Sequence, residues 1–140
     1  MENIRTIVEN IKTHDLVLGT LAGEALECSL DKRFMASLAC LFILAEQSIK
    51  LASDVSSGNL NNQILKLKDE GIISSKEADV LNSLRRTRNK LFHESHYMWV
   101  IEDKDNNKTF FSEENAKEKI WNSLSLPVLQ ICKNLITSKH

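Results

Sequence analysis

Four glycines and one proline are spread over 140 residues, so the chain has few points at which a helix must stop and little of the turn chemistry that a many-stranded sheet needs. That scarcity predicts a mostly helical protein. An excess of one charge is missing too. With 18 basic and 19 acidic side chains the formal charge is -1, and no global field exists to draw the molecule onto nucleic acid. Any contact with a polyanion has to be local. The three cysteines, Cys28, Cys40 and Cys132, lie far apart in apolar stretches with no CxxC spacing. This argues against a zinc or redox motif and predicts small core residues kept reduced. The longest apolar run, residues 34–45, is about twelve residues against the roughly twenty of a membrane span, and reads as a buried helix. The N-terminal MENIRTIVENIK has no apolar h-region, so no signal peptide is expected and a cytoplasmic location is the default. Without a secretory route the sequon at Asn107 has no consequence. P-loop, glycine-rich dinucleotide and nucleophile-elbow motifs are absent, so kinase, dehydrogenase and hydrolase readings find no support.

What is present is ordinary globular material, 42% hydrophobic and 26% charged, in a length that suits one domain over residues 1–140. Apolar residues at helical spacing (Ile4, Ile7, Val8, Ile11, then Leu18, Leu21, Ala22, Ala25) predict one long or broken helix over residues 2–29, with His14 and Asp15 as the interruption. Asp31 is placed to cap a second helix running to about Ser53. The middle of that helix, ASLACLFILA, is apolar on nearly every face and should sit deepest. DVSSGNLNN reads as a loop before a short helix through Ile64, Leu65 and Leu67 that Gly71 ends. Ser74 and Glu77 spell a capping box for a helix reaching about His93. YMWVI and KTFF around EDKDNN suggest a small β-hairpin at about 97–111. Ser112 is placed to cap a last helix to about residue 138, which Pro127 should kink near residue 123 or break.

The local cationic feature is LRRTRNKLFHESHY, residues 84–97, with four cations and a histidine within ten positions. On a regular helix Leu84 and Leu91 define the core side, and His93 lies about 180° from Leu84. Asn89 stands one turn before His93 on the same face, flanked by Arg85 and Arg86. The outward face is therefore polar, cationic and titratable.

Within this stretch RNKLFH, an arginine followed by asparagine, three residues and a histidine late in a helix, resembles the R-x4-6-H motif of HEPN domains, and the resemblance covers residues 60–94. It implies an all-α fold, a four- to five-helix up-down bundle, and metal-independent endoribonuclease activity without a cofactor. Arg88, Asn89 and His93 would be the catalytic positions, with Arg85, Arg86 and Lys90 as RNA-binding support. It also implies a homodimer in which the motifs face each other, and a toxin or defence setting with RNA as substrate and an antitoxin protein as a further partner. The chemistry is consistent with those residue types. Histidine has the pKa for proton transfer near neutrality, and an arginine fork matches phosphate oxygens and stays charged in the transition state.

Other readings stand beside these. Arg88 lies about 140° from His93 and close to the core side, where it could pair with Glu46 of the central helix. Arg85, Arg86 and Lys90 could form a solvated helix face. HESH lacks the spacing that sets two histidines on one helical face, so no metal is expected. Trp99, Phe110 and Phe111 read as packing residues rather than a base-stacking surface. On the second reading the whole chain is a non-catalytic helical interaction or regulatory module.

Overall fold

The computed structural model describes residues 3–54, 58–93, 100–102, 108–110 and 115–139; for Phe92, His93, the strand residues and Lys139 it describes the backbone alone. Six helices, α1 (Ile4–His14), α2 (Leu16–Leu30), α3 (Phe34–Ser53), α4 (Leu60–Asp69), α5 (Ser75–His93) and α6 (Ala116–Lys139), make up nearly all of the described residues. The fold is all-α in class. Two three-residue strands, β1 (Val100–Glu102) and β2 (Lys108–Phe110), pair antiparallel with Ile101 opposite Thr109. The expected hairpin also takes in residues 97–99, 103–107 and 111, which lie outside the described residues.

The count exceeds the expected four to five helices because the N-terminal segment is divided at a single residue. Asp15 is extended (φ -151, ψ 108), its N–H still donates to the Ile11 carbonyl, and its carboxylate accepts from the Leu18 N–H at 3.0 Å. One residue thus closes α1 and caps α2. The chain then doubles back, bringing Gly19 against Lys12 of α1. A Cβ built on Gly19 would lie 2.5 Å from the Lys12 Cα, a close approach that only glycine permits.

α3 is the central helix, in contact with α2, α4, α5 and α6. Leu38, Leu41 and Leu44 are fully buried, against α6 side chains that include Leu124, Val128 and Leu129 in the same core. α3 is long and apolar enough to cross a membrane by length and composition, a test that the core helix of a bundle also passes. It is not buried on every face, since Ile43 is half exposed. Asp31 does not cap it. Arg33 holds the N-cap position without a side-chain bond, while Asp31 ends α2 and meets the Arg33 guanidinium at 3.2 Å. The three-residue connection, with Lys32 left-handed at φ 60, leaves Asp31 too far back to reach the first turn. At the other end Lys66 of α4 donates to the Ser53 carbonyl at 3.0 Å, a cation where the helix dipole is negative.

Asn59, not singled out in the sequence, caps α4 by accepting from the Asn62 N–H at 2.8 Å. The other local signals around α4 and α5 operate as expected. Gly71, at φ 73, closes a Schellman motif in which Ile72 N–H reaches the Leu67 carbonyl and Gly71 N–H that of Lys68. Ser74 and Glu77 bond reciprocally at 2.9 and 3.0 Å. α6 begins at Ala116 with the Asn115 carbonyl accepting from Lys119; Ser112 lies outside the described residues. Pro127 does not break α6, which continues through it to Lys139. Buried side chains on both sides of the proline, Leu124, Val128 and Leu129, hold the two halves to one core and offset the missing hydrogen bond.

Candidate functional site

α5 presents its core face through Val80, Leu81, Leu84 and Leu91, all buried, with Thr87 buried beside them and its hydroxyl turned back to the Ser83 carbonyl at 2.9 Å. The cations occupy the flanks and the outer side. Arg86 is exposed, while Arg85, Arg88, Asn89 and Lys90 are partly buried. Arg85 donates from Nε to the Asn82 side-chain oxygen at 3.3 Å. Arg85 and Arg88 together line one side of an apolar crevice whose other walls include Phe42, Ala45, Ile49 and Leu60. Arginine suits such a wall, because its aliphatic stem can cover apolar surface while its charged end reaches water.

Arg88 is turned toward α3. Its Nη2 lies 3.5 Å from Glu46 Oε2, and the other carboxylate oxygen, Oε1, meets Lys50 Nζ at 3.2 Å. One carboxylate therefore bridges a cation on its own helix and a cation on α5. Side-chain exposures of 35% for Arg88 and 25% for Glu46 put the pair at the protein edge, where solvent reaches it. The Glu46 partnership read from the sequence is thus present, and Lys50 is the member that reading missed. Its signal was the four-residue spacing between Glu46 and Lys50, the distance at which opposite charges on one helix meet.

The other expected positions are placed by the backbone. Asn89 follows Arg88 on the outer side of α5, and His93 is the last residue of the helix. Glu94, His96 and Trp99 lie outside the described residues. No group of three or more metal-ligating side chains occurs among the described residues. Of the cysteines, Cys28 and Cys132 are buried as expected, but Cys40 on α3 is partly exposed, because it falls on the same outer stripe as Ile43. Burial pushes the Cys132 thiol up to about 12 against a weaker opposing hydrogen bond from Ser48. Burial also raises Cys40, with Cys28 and Glu24 adding to the shift.

Chemically, the C-terminal half of α5 offers four cations and an amide within six residues. One guanidinium is held by a partly exposed carboxylate that also has a second cation to hold. Such a surface can take an anion with a pair of acceptor oxygens.

No curated protein and no solved structure matches this chain. A family model described as a domain of unknown function, DUF4145, matches residues 23–118. That span exceeds half of the chain and contains α3, α4 and α5 whole, with Glu46, Lys50 and Arg88 inside it. The chain belongs to the DUF4145 family.

Proposed function

We propose that this protein is a HEPN-type, metal-independent endoribonuclease in which Arg88, Asn89 and His93 act on RNA, with Arg85, Arg86 and Lys90 as backbone contacts and two copies bringing their motifs together. The observation that supports it most is the guanidinium of Arg88. It is about one-third exposed in a cluster of cations, five residues before His93 on one helix, and it approaches Glu46 at 3.5 Å, too long for the charge-assisted grip that would commit its fork to that carboxylate. His93 takes the proton from a ribose 2′-hydroxyl, the 2′-oxygen attacks phosphorus, and the 5′-oxygen leaves and is protonated by water. Arg88 bears the charge that builds on the phosphoryl oxygens. Asn89 orients the phosphate or His93. A toxin or defence setting, an antitoxin partner and a cytoplasmic location belong to the same proposal and rest on the resemblance of RNKLFH and on the sequence reading.

A second reading, a non-catalytic interaction or regulatory module, is favoured by that same ion pair, since an arginine directed to α3 is serving the packing of α5 on α3. One experiment separates the two. Purified protein is incubated with mixed RNA in EDTA beside folded Arg88→Ala and His93→Ala variants. Products ending in 2′,3′-cyclic phosphate, lost in both variants, support the ribonuclease. Intact RNA with a folded wild-type chain rejects it in favour of the module.

A further inference from the structure

We infer that Glu46 is a positioning residue that competes with RNA phosphate for Arg88, so that one carboxylate on α3 sets how strongly the cationic end of α5 takes a polyanion. This rests on the ribonuclease reading above and names what tunes that same site.

Four observations carry it. First, Arg88 approaches Glu46 at 3.5 Å, well beyond the roughly 2.7–2.9 Å of the charge-assisted hydrogen bonds that make a two-point grip. Second, both partners are reached by solvent, the condition under which exchanging one anion for another costs little. Third, Glu46 keeps a partner when Arg88 leaves, because its Oε1 is already 3.2 Å from Lys50 Nζ. The swap therefore strands no unpaired carboxylate, which would be the main obstacle at a more buried site. Fourth, Arg88 lines an apolar crevice with Phe42, Ala45 and Ile49, a surface on which an arginine's aliphatic stem can stay packed while its guanidinium changes partners. Phosphate offers the fork the same pair of acceptor oxygens that a carboxylate does.

The test is fluorescence anisotropy of a labelled single-stranded RNA titrated with the full chain across a range of salt, with turnover of the same RNA measured in parallel. Glu46→Gln removes the charge and keeps the shape. It is expected to lower Kd about two- to fivefold, the scale of a solvent-reached ion pair. It should also steepen the plot of log Kd against log salt by about 0.7, one further phosphate neutralised on a single strand. Glu46→Ala removes the same charge by truncation and should do likewise, providing an independent measurement should the Gln variant fold poorly. Glu46→Asp, which keeps the charge, should bind as the wild type does. Adding Arg88→Ala to Glu46→Gln should erase the gain in binding, and turnover should be lost as it is in Arg88→Ala alone. A purely structural Glu46 would change melting temperature but not the salt slope. Wild-type binding with Kd and slope unchanged or weakened in the Gln and Ala variants overturns this inference and leaves the ribonuclease reading standing. RNA binding by none of the proteins overturns both.

Discussion

The Arg88 guanidinium and the Glu46 carboxylate stand 3.5 Å apart across the seam between α5 and α3, with Lys50 on the far carboxylate oxygen. The arrangement joins two helices at the protein edge, where water screens it. A double-mutant cycle of Arg88→Ala and Glu46→Ala, followed by urea unfolding, is expected to give a coupling of about 0.2–1 kcal/mol. A coupling of several kcal/mol would identify a desolvated structural pair and argue against an arginine available to a ligand.

Gly19 and Gly23 face the same residue on α1 at different depths. A Cβ on Gly19 would meet Lys12 backbone atoms at 2.5 and 2.8 Å, whereas on Gly23 it would meet the Lys12 Cε at 3.4 Å, the movable end of a side chain. Gly19→Ala should therefore destabilise by about 1–3 kcal/mol as the α1 and α2 backbones are forced apart. Gly23→Ala should be neutral or stabilise by up to about 1 kcal/mol through helix propensity. Thermal unfolding of the two variants side by side checks the contrast, and equal losses would show that the crossing is looser than these distances require.

The thiols should separate by exposure. In the native chain one cysteine, Cys40, is expected to react with a maleimide, more slowly than a free cysteine because its pKa is raised. Cys28 and Cys132 should react only on unfolding. Mass spectrometry of peptides after brief labelling reads this directly. Cys132 adds a pH dependence: its folded pKa, about 12, exceeds the ordinary 9.0. Between those values the unfolded chain has lost a proton that the native chain keeps, and its contribution to stability falls as pH rises.

The start of α5 depends on one reciprocal pair. Ser74→Ala removes the acceptor for the Glu77 N–H and is expected to cost about 1 kcal/mol. Gly71→Ala should cost about as much for a different reason, the left-handed φ of 73 with open space around the position. Urea midpoints of both variants measure these losses. A Gly71→Ala variant as stable as the parent would mean that the Schellman turn relaxes to another geometry.

The helical class was legible from the few glycines and the lone proline. The caps at Gly71 and Ser74 were legible because each is a local bond between residues at most five apart. The flank of α5 that carries Arg88 could be placed by helical periodicity, with Leu84 and Leu91 marking the core side. Distances between elements were not legible. That Asp15 alone divides two helices is decided by how closely Gly19 approaches Lys12. That Asp31 ends α2 instead of capping α3 is decided by the tight connection through Lys32. The placement of Cys40 at the surface follows from which stripe of an almost wholly apolar α3 its neighbours leave uncovered. Above all, the sharing of one Glu46 carboxylate between Lys50 and Arg88 depends on the packing of α5 against α3. Periodicity assigns a residue to a face of its own helix, while the neighbour that face meets is set by side-chain packing between elements distant in sequence.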